Sequence, residues 1–248
     1  QLERSLSGSR PSSSVLSPAR ASAAKALRLV QEQNVSAASA IRAQVDASAL
    51  SPEDARFASA LVLGAVQAQG VLDAVLDGIL DKPRGVRPDV RRALQIAAYE
   101  LLFMGREPQH AVDQGVRLAG KSAPFAKSMA NAVLRRVARQ KEALFSGDPE
   151  KDFSAYCFQS GFPEGLARRL SADRGEVRTR RLIRLANERP PVFVQVNALK
   201  GGAGEVLEGL ARAGIQTERI QDVPGCARLV RSADVATAEV TELIREGV

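Results

Sequence analysis

From Arg87 to Met104 the chain reads Arg-Pro-Asp-Val-Arg-Arg-Ala-Leu-Gln-Ile-Ala-Ala-Tyr-Glu-Leu-Leu-Phe-Met. Pro88 suits a first helical turn, where no intrahelical bond needs its missing N–H. Val90, Leu94, Ala97, Leu101 and Met104 recur at three- and four-residue steps, and Ile96, Leu102 and Phe103 make the far end apolar on nearly every side. A helix of that kind has to be surrounded by other helices. The chain is therefore constrained to a bundle with this segment as its axis. At its entrance Arg87, Arg91 and Arg92 recur at about one-turn spacing, which predicts a shared, basic solvent face.

The neighbouring segments supply the other helices. Ser17-Pro18 predicts a start with Ser17 as cap and Pro18 in the first turn. Ala24, Leu27 and Val30 then face inward, and Arg20, Lys25 and Arg28 lie on the polar side. A short helix from about Ser36 turns Ile41 and Val45 inward. Ser51-Pro52-Glu53-Asp54 is a further helix start, followed by an apolar run in which Gly64 permits close packing. Gly70 is expected to interrupt it before Val71–Leu80. Helices are also expected over 109–119 and about 124–141, the latter with Phe125, Met129, Val133, Leu134 and Val137 apolar. No strand pattern precedes residue 145. The fold class is mainly α: an all-helical bundle over 18–141, after a Ser/Gly/Pro-rich arm over 1–17 that reads as disordered.

A looser connector is expected over 142–162, then a small α+β module over 163–248. Helices at 163–172 and 176–187 end at Pro190-Pro191. Val192–Asn197 is a β-branched strand, 204–213 an amphipathic helix closed by Gly214, 215–220 and 227–230 short strands, and 236–245 a helix. The order β-α-β-β-α suggests a ferredoxin-like arrangement.

Charge is distributed unevenly. Residues 20–141 hold 18 Lys+Arg and 11 Asp+Glu, net +7, whereas residues 142–248 hold 15 and 16, net −1. Such asymmetry points to a polyanionic partner, nucleic acid above all. The basic residues at or near helix ends are Arg20, Lys25, Arg87, Arg91, Arg92, Lys121, Lys127, Arg135, Arg136 and Arg139. Together they form the candidate RNA-binding surface, since such groups neutralise phosphates. A second cluster (Arg168, Arg169, Arg174, Arg178, Arg180, Arg181, Arg184) is partly offset by acids. Aromatics do not interleave with these residues, so stacking on bases is not expected as the main mode.

Signs of catalysis are missing. His110 is the one histidine and has no neighbouring Cys, so no nucleophile–base pair is legible. Cys157 and Cys226 lie far apart, without further ligands for a metal, and read as small apolar side chains. Asp73, Asp77 and Asp81, four apart, read as a solvated face. Gly201-Gly202-Ala203-Gly204 lacks the spacing of a phosphate-binding loop and reads as a turn beside Lys200. No run reaches the roughly 18 apolar residues of a membrane helix, and no leader pattern opens the chain. A cytoplasmic protein with no membrane partner is expected. The start at Gln1 rather than Met, and the end at Glu-Gly-Val, suggest a piece of a longer protein.

Two stretches resemble known families. Arg56-Phe57-Ala58, Leu61-Val62-Leu63-Gly64, Leu72-Asp73, Arg92-x-Leu94, Tyr99-Glu100-Leu101-Leu102-Phe103 and Asn131-Ala132-Val133-Leu134-Arg135 occur in the order found in the NusB family of helical RNA-binding antitermination factors. The likeness departs at Ala111–Val116, where the family usually carries Asn-Glu-Ala. Arg189-Pro190-Pro191-Val192-x-Val194-x-Val196-Asn197-x-x-Lys200, with Ala213-Gly214-Ile215, resembles the pre-catalytic module of RsmB/Sun ribosomal RNA cytosine 5-methyltransferases. Pro163-Glu164-Gly165-Leu166 resembles that module's start, with Gly165 in place of an aromatic and Gln195 where Arg is usual. Those enzymes join a NusB-like domain to this module and then to a domain that binds S-adenosylmethionine, with catalytic cysteines in Pro-Cys and Thr-Cys motifs. Cys157 follows Tyr156 and Cys226 follows Gly225, so neither matches, and no catalytic, cofactor or metal residue is carried over.

The resemblance implies the RNA-targeting half of a 16S ribosomal RNA 5-methylcytosine methyltransferase. The chain alone is then inactive, its cofactor bound elsewhere and its partner the small-subunit RNA. Alternatives are a NusB-like antitermination factor, or a scaffold that binds a protein partner through the bundle.

Overall fold

The computed structural model describes residues 15–188, 190–197, 202–212 and 214–230. The chain divides into two units, Gln1–Leu185 and Ala186–Val248. In the first, α1 (Pro18–Gln33), α2 (Ala37–Ser48), α3 (Pro52–Gln67), α4 (Gln69–Asp77), α5 (Pro88–Phe103), α6 (Pro108–Ser122) and α7 (Lys127–Leu144) precede α8 (Phe153–Gln159), α9 (Glu164–Arg174) and α10 (Glu176–Asn187). Short 3-10 turns occupy Pro83–Gly85 and Pro124–Ala126.

Local chemistry starts several helices. The Ser36 hydroxyl accepts from the Ser39 N–H at 3.2 Å and that of Ser51 from Asp54 at 3.1 Å. The Glu107 carboxylate accepts from Gln109 and His110 at 2.9 and 2.6 Å, and Asp152 from Ser154 at 2.9 Å. Each satisfies N–H groups that a helix start leaves unpaired. Ser17 differs from expectation. It holds the cap position, but its side chain makes no cap bond. Instead its N–H donates to Gln114 Oε1 at 2.8 Å, while Gln114 Nε2 donates to the Val15 carbonyl at 3.1 Å. A buried amide on α6 thus holds the end of the expected arm; residues 1–14 lie outside the described residues.

The Arg87–Met104 segment is the axis that the sequence demands. Val90, Ala93, Leu94, Ile96, Ala97, Ala98, Leu101 and Leu102 are all buried. They join Leu27, Leu61, Leu72, Leu76 and Leu134 in one core. Aromatics being scarce, that core is filled by Ala, Leu and Val, and small residues let helices pack closely. A Cβ on Gly64 would lie 1.9 Å from Tyr99 Cζ, and one on Gly115 would lie 2.5 Å from Ala97 Cβ. At the far end of α5, Phe103 packs with Tyr99, Phe145 and Phe158, ring centroids 5.6–6.5 Å away.

Several expectations require correction. Arg20, expected on a polar face, is buried, its side chain 7% exposed and paired with Glu100 of α5, itself 1% exposed. Nε and Nη2 of Arg20 donate to the two Glu100 oxygens at 2.8 and 2.5 Å, and the guanidinium lies 4.9 Å from the Phe57 ring centroid. The helix break falls at Ala68, where α3 and α4 bend by 72°, and Gly70 lies inside α4. Phe125, expected on an apolar face, is exposed. The connector expected over 142–162 carries α8, whose Cys157 shares a small core with Ala167 and Ile183.

The second unit holds β1 (Phe193–Gln195), α11 (Ala203–Arg212), β2 (Thr217–Arg219) and β3 (Cys226–Leu229). The strands form an antiparallel sheet in the order β1-β3-β2. Leu207 and Leu210 of α11 pack with Ile215, Ala227, Leu229 and Val194. Arg228 faces out between Ala227 and Leu229 and bonds its cross-strand partner Glu218 at 2.6 Å. Gly214 takes φ +79°, as a helix-terminating glycine should. The expected helix over 236–245, together with Arg189, Lys200, Gly201 and Ala213, lies outside the described residues.

Two substitutions test this packing. Glu100→Ala leaves the Arg20 guanidinium buried without its anion and should lower stability by about 3–5 kcal/mol. Gly64→Ala places a methyl group against the Tyr99 ring and should lower it by about 1–3 kcal/mol. Urea denaturation, followed by helical circular dichroism, measures both.

Candidate nucleic-acid interface

The ten predicted basic residues separate by what they already touch. Arg20 is internal, as described. Arg92 is 6% exposed, and its Nη1 lies 2.9 Å from Glu32. Arg91 is clamped by two carboxylates, at 2.7 Å from Asp73 and 2.6 Å from Asp77. Gln95 also donates to Asp73, at 2.8 Å. Burial works against the Arg91 charge, but the hydrogen bonds to Asp73 and Asp77 raise its pKa overall. Burial withdraws Arg20 from the predicted phosphate-contacting surface, while Arg91 and Arg92 already carry carboxylate partners within the bundle. Nor are Asp73 and Asp77 merely a solvated face, because they anchor α5 to α4.

Arg87 is exposed and bonds Asp89 at 2.8 and 3.2 Å. Burial alone would raise the Asp89 pKa. Hydrogen bonds from Arg87 and from the Val90 N–H outweigh that and hold it below the ordinary carboxylate value. Lys25, Lys121, Lys127, Arg136 and Arg139 are exposed and make no ion pair with any described residue. Arg135 is exposed and donates to Asn131 Oδ1 at 3.0 Å.

Two grooves collect these groups. The first, about 620 Å³, runs between α1, the start of α5 and the end of α6. Lys25, Arg28, Arg87, Arg92 and Lys121 line it, with Glu32 and Asp89 as its acids and Leu29, Pro88 and Leu118 among its apolar walls. Five cations therefore meet two anions. The geometry follows from α1, which buries Ala19, Ala23, Ala26 and Leu27 and so turns Lys25 and Arg28 outward together. Arg28, a polar-side residue outside the ten predicted ones, also lines this groove. Its three-residue step from Lys25 is the sequence signal for that placement. The second groove, about 480 Å³, lies between α6 and α7, lined by Val112, Val116 and Ala138 together with Arg135, Arg139 and one acid, Asp113. Arg135 and Arg139 thus line a different groove from Lys25, Arg87, Arg92 and Lys121.

The two cysteines and the histidine lie on α8, β3 and α6. Cys157 is fully buried, and burial raises its pKa. Cys226 lies on β3. His110 lies at the start of α6, its N–H bonded to Glu107. Among the described residues, no group of three or more His, Cys, Asp or Glu side chains converges as a metal site. Among them, too, no single helix is long and apolar enough to cross a membrane.

Residues 17–139 match the NusB family, and residues 162–236 match the ferredoxin-like domain of RsmF/B-like methyltransferases. The chain thus carries a NusB domain followed by a ferredoxin-like domain of the RsmF/B type. Similar proteins include the probable ribosomal RNA small subunit methyltransferase B of Synechocystis sp., 32% identical over 183 residues, covering 73% of this chain and 41% of that protein. The ribosomal RNA small subunit methyltransferase B of Pseudomonas putida is 32% identical over 205 residues, covering 82% of this chain and 45% of its own. The matched stretch thus covers less than half the length of these relatives and corresponds to their N-terminal part. Its fold is similar to the crystal structure of PH0851, with a TM-score of 0.61 and 19% identity over 91% of this chain and 51% of that one.

The lowered pKa of Asp89 has a consequence for pH. Its contribution to stability is present above the ordinary carboxylate range and is lost as the pH falls through its lower folded-state value. Asp89→Asn should therefore lower stability at neutral pH and leave it little changed at strongly acid pH, so that the acid limb of the profile is flatter. Thermal melts across the acid range read the difference.

Proposed function

We propose that this chain is the RNA-targeting, N-terminal half of an S-adenosylmethionine-dependent 16S ribosomal RNA 5-methylcytosine methyltransferase of the cytoplasm. The observation that carries the reading is the α1/α5/α6 groove, where Lys25, Arg28, Arg87, Arg92 and Lys121 outnumber Glu32 and Asp89. Lys25 and Lys121 have no carboxylate partner among the described residues, so a phosphate can approach them without breaking an existing pair. The surface of a folded RNA offers phosphates at that density, and each one neutralised adds salt-dependent affinity. Arg135, Arg136 and Arg139 on α7 supply a second row of cations that a large RNA can reach.

S-adenosylmethionine supplies the methyl group in such a reaction. The described residues offer no cysteine in a Pro-Cys or Thr-Cys setting, and the matches cover only 41% and 45% of the two relatives, which supports placing the chemistry outside these 248 residues. The chain then grips small-subunit RNA and presents a cytosine without reacting with it.

Lys25→Glu combined with Lys121→Glu should weaken binding to small-subunit RNA and make its salt dependence shallower by about one unit of slope per lost phosphate contact. Unchanged affinity would favour the protein-scaffold alternative. Tighter binding to a boxA-like RNA than to ribosomal RNA would favour an antitermination role. Incubation with ribosomal RNA and labelled S-adenosylmethionine should transfer no methyl group, and incorporation would refute the assignment of the chemistry to another domain.

A further inference from the structure

The 3-10 turn between α6 and α7 carries a feature that the packing of the bundle does not explain. Phe125 is 77% exposed and is the most exposed aromatic ring among the described residues. The turn beneath it is held in place. Ala123 and Ala126 are 1% and 3% exposed. The Ala126 N–H donates to the Ala123 carbonyl at 2.9 Å, and the Ala123 N–H to that of Ala119 at 2.9 Å. Pro124 fixes its own φ. Two buried alanines occupy the inward positions, so the ring between them stands outward on a rigid base.

Cations flank the ring in the sequence, four residues before it and two after. Lys121, in the last turn of α6, borders the α1/α5/α6 groove. Lys127 opens α7, and its side chain lies across Gly120, where a Cβ would come within 2.3 Å of Lys127 Cε. The missing side chain at Gly120 thus makes room for the lysine stem beside the end of α6. Residues 114–141 contain no Asp or Glu and seven Lys or Arg. A ring in that setting suits an anionic partner that also presents flat faces. It suits a protein interface poorly, because a hot-spot ring needs surrounding residues that exclude water, and Lys121, Ser122, Lys127 and Ser128 around it are exposed and polar.

We propose that Phe125 is a stacking platform for an unpaired RNA base, with Lys121 and Lys127 holding the phosphates on either side. This rests on the RNA-binding reading above and deepens it. The groove would lead a single-stranded segment toward the ring, and the protein would distinguish unpaired from paired RNA at this corner. Base stacking therefore enters here through one ring, although the sequence offers no interleaved aromatics. Stacking tolerates any base, since each has a π-face.

Equilibrium binding of the full chain to a short unstructured oligoribonucleotide, and to a duplex of the same sequence, tests the proposal. Phe125→Ala should weaken single-strand binding by about tenfold, as expected for one lost base–aromatic stack, and leave duplex binding and the salt slope unchanged. Phe125→Trp should restore it. A fluorescent adenine analogue in the strand should be quenched by the wild-type chain and not by the Ala variant. Lys121→Ala with Lys127→Ala should instead reduce the salt slope by about two units. Because Phe125 is exposed, an unchanged melting temperature serves as the folding control. Equal affinities of wild type and Phe125→Ala for the single strand would overturn the platform and leave the cationic groove intact. So would a loss confined to self-association. A wild-type chain that binds neither RNA would overturn both readings together.

Discussion

The pairing of Arg20 with Glu100 inside the bundle governs how α1 sits on α5. Both charges are withdrawn from water, at a cost of several kcal/mol per ion that only a well-formed pair offsets. Here the geometry is favourable: two parallel bonds join the guanidinium to the carboxylate, with Phe57 alongside. Such a pair adds little net stability over an apolar substitute, but a wrongly seated helix would leave a bare charge buried. It thus penalises any rotation or slide of α1. With α1 seated this way, Ala19, Ala23, Ala26 and Leu27 are enclosed and Lys25 and Arg28 face the groove. The position of the candidate RNA surface is therefore a consequence of a salt bridge within the core.

Charge in the bundle is divided by chemistry. Arg20, Arg91 and Arg92 hold helices together through carboxylates on α5, α4 and α1 respectively. The exposed groups without a partner among the described residues include Lys25, Lys121 and Lys127. A guanidinium is weakly hydrated and forked, so it suits buried or bidentate pairs; an ammonium is a compact, strongly hydrated charge better kept in water. The excess of positive charge in the bundle is thus two populations, one internal and structural, the other available to an anion.

The same division bears on the turn after α6. There the fold buries alanines and exposes a phenylalanine, the reverse of what hydrophobicity alone would arrange. Small residues let α6, the turn and α7 close against α5, and the large side chain is left outside. In the second unit, alternation along β3 turns Ala227 and Leu229 inward against α11 and Arg228 outward to Glu218, as a half-buried antiparallel strand requires.

Sequence by itself determined the helical axis at Arg87–Met104, the helix starts at Ser36 and Ser51, the close approach at Gly64 and the β-α-β-β order of the second unit. Each depends on periodicity, capping chemistry or residue size within a few positions, and short-range rules report those directly. Tertiary structure alone decided which basic groups remain available. Arg20 and Lys25 share one helix and look alike in the sequence, yet one faces Glu100 and the other faces solvent. Phe125 had the composition of a core residue and became a surface one for the same reason: pairing and exposure depend on neighbours brought together from distant parts of the chain, and helical spacing carries no information about which carboxylate or side chain arrives opposite.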